Sequence, residues 1–158
     1  MNTRADSEKR ARDFLAARRQ LLIGGKWVDA LSGKTFEVRN PADGKVISHV
    51  AEGDRADIDL AVKAARKAFD GGPWRKMTAN QRSRLMFRLA DLIEAHAEEI
   101  SIMETLNNGA PLKDTRGAMV TRAADYVRYC AGWATKLYGT TLEPLLEGNY
   151  LTYTLREP

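Results

Sequence analysis

One stretch, residues 78–108, limits the fold more tightly than any other part of the sequence. Apolar side chains recur in it every three or four residues, the spacing that gives a helix one apolar face: Leu85, Met86, Leu89, Leu92, Ile93, Ile100, Met103 and Leu106. Thr78 and Gln81 have the spacing of a capping box, and Gly109 is a stop signal. Because roughly thirty residues would be long for a globular helix, we expect a break near Ala97–Glu98.

The composition is that of a globular protein. The chain has 158 residues, of which 44% are hydrophobic, and this is typical of one domain or of one domain with arms. No apolar run approaches the ~20 residues needed to cross a bilayer, and the charged N-terminus is unlike a secretory signal. The single cysteine, Cys130, cannot form an internal disulfide, which favours a reducing compartment. We therefore predict a cytoplasmic protein with no membrane partner.

Most of the net charge lies in a basic N-terminal arm, residues 1–20. This segment carries six basic side chains against three acidic ones, a net charge of +3 out of the chain's +4. Such an arm could contact nucleic acid or anionic lipid. The interpretation we favour is a solvated segment or a short amphipathic helix that contains Phe14 and Leu15. We therefore predict no nucleic-acid partner.

Two hairpins and a capped helix are predicted before the long helical stretch. Gly24-Gly25 separates two short apolar runs, and turn residues fill Asn40–Gly44 between two further runs. Asp54 is a helix N-cap, and the helix that follows should continue to about Asp70, where Gly71–Pro73 ends it. Its expected buried face consists of five apolar residues: Ile58, Ala61, Val62, Ala65 and Phe69.

A further helix and a short ribbon complete the chain. The helix should begin at Lys113–Asp114 and continue to Tyr138, with Gly139 as its stop. Its expected buried stripe repeats at helical spacing: Met119, Ala123, Tyr126, Val127, Cys130, Ala134 and Leu137. Residues 140–144 and 150–155 have the pattern of two strands, but a two-stranded ribbon is marginal in water. Such a ribbon normally pairs with missing sequence or with another subunit.

The sequence contains no recognisable catalytic or cofactor-binding motif. No two glycines have the Gly-x-Gly spacing of a dinucleotide site, and the phosphate-binding P-loop is also missing. Cys130 is expected mid-helix on a buried stripe, where a free cysteine acts as a small hydrophobe. His96 is expected on an apolar stripe as a structural histidine, and His49 has no recognisable partner. We therefore assign no catalytic, cofactor-binding or metal-ligating residue.

Five segments together resemble the N-terminal part of the NAD(P)-dependent aldehyde dehydrogenase family. The resemblance covers residues 21–158 and lies in the order and spacing of these segments: IGGKWVDALSGKTFEVRNPADGKVISHVAEGD, DLAVKAARKAFDGGPWRKM, RSRLMFRLADLIEAHAEEISIMETLNNGAP, YVRYCAGWATKLYG and GNYLTYTLREP. It implies an α/β fold. Residues 21–139 would be the hairpin and helices of the Rossmann-like cofactor-binding domain. Residues 140–158 would be the β-ribbon of the oligomerisation domain, joining a homo-oligomer, either dimer or tetramer.

The resemblance also implies a reaction. The family oxidises an aldehyde to a carboxylic acid with NAD or NADP, using a cysteine nucleophile, an oxyanion-hole asparagine and a glutamate that activates water. In the family these three residues follow the positions that match Arg156–Pro158, so none of them is carried over to this chain. We therefore expect a fragment of an aldehyde dehydrogenase that is inactive alone. The alternative is a non-catalytic binding module that pairs with a full-length subunit through residues 140–158.

Two further positions are implied by the resemblance. Some relatives bind a structural monovalent cation near the positions matching Val38, Arg39 and Asn107. Because several of those relatives have Asp where this chain has Asn107, we predict no cation site. The helix that carries Met119 and Arg122 would flank the substrate entrance, although packing explains both residues equally well.

Overall fold

The structure, a computed structural model, describes residues 4–145 and 147–154. Helices and short strands follow one another in these bounds: α1 Arg4–Ala16, β1 Leu21–Ile23, β2 Lys26–Val28, β3 Thr35–Arg39, β4 Val46–Ala51, α2 Arg55–Gly71, α3 Pro73–Lys76, α4 Ala79–Ala95, α5 Ala97–Asn108, α6 Leu112–Asp114, a π-helical turn Thr115–Met119, α7 Val120–Trp133, β5 Thr141–Leu142 and β6 Thr152–Tyr153. The strands form three separate antiparallel pairs, β1–β2, β3–β4 and β5–β6. Within the described residues, no helix is long and apolar enough to span a bilayer.

The long helical stretch has the bounds that its sequence predicts. The Thr78 side chain accepts a hydrogen bond from the Gln81 amide, and the Gln81 side chain accepts one from the Thr78 amide, so both halves of the capping box are present. The helix is interrupted at His96, next to the predicted break, and this gives α4 and α5. Gly109 ends α5 in the left-handed conformation with φ +82°. The local signals were therefore sufficient to predict these ends.

The centre of the helical part is the contact between α4 and α7. Ala90 on α4 and Ala124 on α7 are both fully buried, and these small side chains allow the two backbones to approach closely. The Ser83 hydroxyl donates to the Ala131 carbonyl at 2.8 Å, and the Arg128 guanidinium donates two 2.6 Å hydrogen bonds to the Glu94 carboxylate. Packing and polar contacts therefore fix these helices together along their length.

The predicted buried stripe of α7 was wrong. Met119 and Tyr126 are exposed, Cys130 is exposed, and the buried positions are Val120 and Ala124 with Ala131. The helix is apolar on two sides, and the side with the smaller residues makes the contact with α4. It also ends at Trp133, five residues before the predicted end at Tyr138. The larger apolar side chains therefore remain on the surface.

The two hairpins agree with the prediction. Leu22 pairs with Trp27 across β1–β2, and the linking Gly24 and Gly25 have φ values of +60° and +79°. Positive φ at both turn positions is what a type I′ two-residue hairpin loop requires. The β3–β4 pair is closed by the turn at residues 40–44, with a register irregularity between Val38 and Arg39.

The N-terminal segment forms a packed helix rather than a free arm. α1 packs on α5, burying Ala11 completely and Ser7 almost completely. Of the two interpretations, the helical one describes residues 4–16, but its buried residues are Ser7 and Ala11, whereas Phe14 is exposed. At the other end of the chain, β5 and β6 pair through Thr141 and Tyr153, as predicted for the ribbon. Its last predicted residue, Leu155, lies outside the described residues.

Candidate functional site

The most concentrated charge cluster lies where α1, α5 and the π-helical turn meet. The Arg116 guanidinium donates two hydrogen bonds to the Glu98 carboxylate, one of them at 2.6 Å from Nε. Arg4 Nε on α1 lies 3.9 Å from the same carboxylate. These hydrogen bonds from Arg116 hold the pKa of Glu98 below its usual value. Glu98 therefore stays ionised, and it connects α5 to α1 and to the π-helical turn.

The neighbouring carboxylate, Glu99, has a similar role. Arg10 Nε lies 3.5 Å from Glu99 Oε2, and His96 Nδ1 lies 3.2 Å from the same oxygen. His96 was predicted on an apolar stripe, but it is exposed at the interruption between α4 and α5. It nevertheless lies alongside the predicted stripe, because it borders a cavity together with Leu92, Ile93 and Ile100. His96 is a surface group with an acidic neighbour.

The π-helical turn is held by a buried hydroxyl. Thr115 is fully buried, and its hydroxyl donates to the Leu112 carbonyl at 3.1 Å and lies 3.1 Å from the Thr105 hydroxyl. Such turns insert a residue into a helix and often occur at functional sites. Here Thr115 and Arg116 together bind the turn to α5. The interactions are structural in kind, because no reactive group is brought to this point among the described residues.

The outer face of α7 carries the residues that were predicted for a substrate entrance. A shallow cavity of about 380 Å³ lies against Arg122, Asp125, Tyr126 and Tyr129. Met119 is exposed one turn earlier. Cys130 is a free, exposed cysteine on the same helix.

A larger open cavity, about 840 Å³, lies between the β1–β2 hairpin and α2. It adjoins a second cavity of about 450 Å³ on the same helix, and Ala65 lines both. We call the apolar surface around them the α2–hairpin surface, and it consists of these residues: Leu22, Ile23, Ala61, Val62, Ala65 and Phe69. The glycines that line the larger cavity do not have the Gly-x-Gly spacing of a dinucleotide site.

Of the positions compared with a cation site, Val38 and Arg39 lie in β3 and Asn107 lies in the last turn of α5. The end of α5 abuts the β3–β4 turn, where a Cβ at Gly109 would lie 2.7 Å from Pro41 Cγ. Arg39 donates to the Gly44 carbonyl at 2.9 Å, and Asn107 is exposed. Across residues 4–145 and 147–154, no three His, Cys, Asp or Glu side chains are grouped to hold a metal. His49 is exposed and paired with Glu37 across β3–β4.

Comparison with known proteins decides what this framework belongs to. The sequence model of the aldehyde dehydrogenase family matches residues 27–158. The chain belongs to the aldehyde dehydrogenase family. It is 52% identical over 139 residues to aldehyde dehydrogenase family 2 member B4, mitochondrial, of Arabidopsis thaliana, covering 88% of this chain and 26% of that protein. It is 46% identical over 140 residues to the mitochondrial aldehyde dehydrogenase of Homo sapiens, covering 88% of this chain and 27% of that protein.

A solved aldehyde dehydrogenase has the same fold over this region. The NAD+ complex of the aldehyde dehydrogenase from Bacillus cereus superposes with a TM-score of 0.88 at 43% identity, covering 94% of this chain and 30% of that one. The resemblance and the fold class predicted from the sequence are thus confirmed. The chain spans between about a quarter and a third of the length of these relatives.

Sequence reasoning missed several residues that hold the aldehyde dehydrogenase framework together. Asp57 follows Asp54 at capping-box spacing, so its hydrogen bond to the Asp54 amide had a local signal that was not used. The Glu98–Arg116 pair is separated by 18 residues and the Glu94–Arg128 pair by 34. A periodic sequence pattern does not predict pairs that are so far apart along the chain. These two pairs are therefore seen only in the structure.

Proposed function

We propose that this chain is the N-terminal scaffold of an NAD(P)-dependent aldehyde dehydrogenase, and that the 158 residues alone do not oxidise aldehydes. The observation that carries the proposal is the match of residues 27–158 to the family together with a span of only 26–30% of the relatives. The described residues supply packing, caps and ion pairs. Catalysis and cofactor binding are assigned to the share of the enzyme that this chain does not span.

The chemistry proposed for the whole enzyme is oxidation of an aldehyde to a carboxylic acid. The nicotinamide cofactor would accept hydride from the substrate. No step of this oxidation is assigned to a residue of this chain. NAD is the first cofactor to test, because the B. cereus relative is described as an NAD+ complex. Met119 and Arg122 are proposed to border the substrate entrance, which would make them specificity residues rather than catalytic residues.

The oligomeric state, the nucleic-acid partner and the cellular location are also matters of proposal. We propose a homo-oligomer, dimer or tetramer, formed through residues 140–158, because the described part of the β5–β6 ribbon exposes Leu142, Tyr150 and Leu151. No nucleic-acid partner is proposed. Arg4 and Arg10 of α1 lie beside Glu98 and Glu99, which reduces the positive field available to phosphate. A cytoplasmic location is proposed, although two relatives are named mitochondrial.

A covalent chimera tests the enzyme proposal. This chain replaces the superposing 30% of the B. cereus aldehyde dehydrogenase, and NADH formation is measured with a panel of aldehydes. We expect the chimera to assemble and to retain NAD-dependent activity, and the isolated chain to show none. An inactive chimera beside an active parent would refute the scaffold assignment. Turnover by the isolated chain, with contamination excluded, would refute its predicted inactivity.

The second candidate is a non-catalytic module that pairs with a full-length subunit through residues 140–158. The exposed edge of the two-stranded β5–β6 ribbon supports it, since so short a sheet is marginal without additional pairing. A version that lacks residues 140–158 should then lose co-purification with a full-length aldehyde dehydrogenase. If deletion leaves co-purification unchanged, ribbon pairing is not the mode of association.

A further inference from the structure

A small cavity of about 230 Å³ lies between α1, α5 and the π-helical turn, and we call it the α1 cavity. Arg4, Glu8 and Arg12 of α1 line it, and their spacing of four residues places them on one face of that helix. The α1 cavity shares no lining residue with the α2–hairpin surface or with the cavity on the outer face of α7. A ligand bound in it would contact α1 and α5 at the same time.

The floor of the α1 cavity is apolar. Ile102 and Leu106 lie one turn apart on α5, and Leu112 lies on α6. Ile102 is 7% exposed, and the two leucines are partly buried. Such a floor favours a hydrocarbon group, because each methylene removed from water strengthens binding by up to about fourfold. The cavity is smaller than the roughly 300–1,000 Å³ pockets that hold drug-sized ligands, so the hydrocarbon must be short.

The rim of the α1 cavity carries more positive than negative charge. Arg12 Nη2 donates to Glu8 Oε1 at 2.9 Å, and Arg116 donates two hydrogen bonds to the Glu98 carboxylate. Arg4 Nε approaches that same carboxylate only to 3.9 Å, and the Arg4 side chain is 70% exposed. Three guanidinium groups therefore share two carboxylates, which leaves one positive charge in excess. Because so long and exposed an ion pair contributes little, Arg4 is the group that can turn towards a ligand.

One excess positive charge beside a short apolar floor is complementary to a monoanion with a hydrocarbon tail. A carboxylate has this charge, and its planar head group accepts two parallel N–H bonds from a guanidinium, whereas a phosphate group carries nearly two negative charges. We propose that the α1 cavity binds a short-chain aliphatic carboxylate, with its head group on Arg4 and its tail on Ile102 and Leu106. A guanidinium has five N–H donors, so Arg12 and Arg116 can also donate to the head group while they keep their carboxylate partners. The inference does not depend on the proposed function.

Titration of the full chain with a series of acids tests the proposal. Acetate, butyrate, hexanoate and octanoate are added in turn, and amide hydrogen exchange of α1 and α5 is followed by mass spectrometry. Because the ligand joins these helices, exchange of the α1 amides should slow about tenfold when the free acid is at about nine times its dissociation constant. Affinity should rise about twofold to fourfold per added methylene until the tail fills the cavity. If none of the acids protects α1 at millimolar concentrations, the proposal is overturned.

Two control ligands test the head group and the tail separately. Hexanamide replaces the carboxylate of hexanoate by a neutral amide, and inorganic phosphate is an anion without a hydrocarbon tail. We expect hexanoate to bind at least tenfold more tightly than either, and its advantage over hexanamide to shrink at high salt. Equal protection by hexanamide would overturn the role of the cationic rim. Tighter binding of phosphate than of hexanoate would show a simple anion site and would also overturn the proposal.

A matched pair of variants locates the head group. Arg4→Gln removes the excess charge, whereas Lys9→Gln removes the same charge from an exposed position of α1 that does not line the cavity. Glutamine is a good helix former, so neither change is expected to unfold α1. We expect Arg4→Gln to weaken hexanoate binding at least fivefold relative to Lys9→Gln, and Leu106→Ala to lower the gain per methylene while acetate binding is unchanged. Equal binding by the two charge variants, or an unchanged gain per methylene in Leu106→Ala, would overturn the assignment.

Discussion

Substitution of Gly109 tests the joint between the helices and the β3–β4 hairpin. Gly109 has φ +82°, and an alanine in that conformation costs about 1–2 kcal/mol. Its Cβ would lie 2.7 Å from Pro41 Cγ, closer than any ordinary contact, and displacing the rigid ring adds about 1–3 kcal/mol. We therefore expect Gly109→Ala to lower the local opening free energy by about 2–5 kcal/mol. Amide exchange of the last turn of α5 should accelerate roughly 30-fold to 5,000-fold.

The control for this change is Gly25→Ala. Gly25 has φ +79°, and a Cβ at this position would meet no atom of the described residues within 4 Å, so the change has the same backbone cost without the clash. Exchange in the β1–β2 hairpin should accelerate by about 5-fold to 30-fold. The double variant with Pro41→Ala should recover most of the steric share of the Gly109→Ala cost. Equal costs at Gly109 and Gly25, with no recovery, would show that α5 does not abut the turn.

Three further predictions concern interior contacts and can be measured in the same chain. Ala124→Leu should destabilise the α4–α7 contact by about 1–3 kcal/mol, seen as faster amide exchange in both helices, whereas Ala123→Leu on the exposed side should have little effect. The hydrogen bonds from the Asp54 and Leu31 amides hold the pKa of Asp57 below its ordinary 3.8. Its stabilisation is complete above that value and is lost as pH falls through the folded pKa, so circular dichroism should show an acid loss of helix that Asp57→Asn reduces. Arg128→Met should accelerate exchange in α7 roughly twofold to fivefold, and high salt should diminish the difference from wild type.

Several element ends were predictable because their signals are local, whereas the predicted end of α7 at Tyr138 was five residues too late. Thr78 and Gln81 satisfy each other's amides within one helical turn, and Gly24-Gly25 supplies positive φ to a two-residue loop. Each signal acts through backbone geometry that a few adjacent residues determine. Tertiary contacts did not have to be known for either prediction. The interruption near Ala97 was predictable for a related reason, since uninterrupted helices of that length are uncommon in globular proteins.

The faces of the helices were harder to predict because periodicity does not choose between two apolar sides. In α7 the predicted stripe contains Tyr126 and Cys130, yet the contact with α4 uses Ala124 and Ala131. Small residues permit a closer helix approach, and larger side chains remain available for surfaces outside this chain. The absence of catalytic residues stays a prediction of the family resemblance.

Ion pairs connect several of the helices to one another. Glu98 joins α5 to α1 and to the π-helical turn through Arg4 and Arg116, and Arg128 joins α7 to α4. These pairs connect elements that also bury small residues against one another. Asp57 anchors the first turn of α2, and the β1–β2 hairpin approaches its middle, where a Cβ at Gly24 would lie 3.8 Å from Ala64 Cβ. Larger apolar side chains remain exposed on several helices, among them Val62 of α2, Leu89 of α4 and Tyr129 of α7. Ion pairs and small buried residues therefore hold the helices to one another, while the larger apolar side chains lie on the surface.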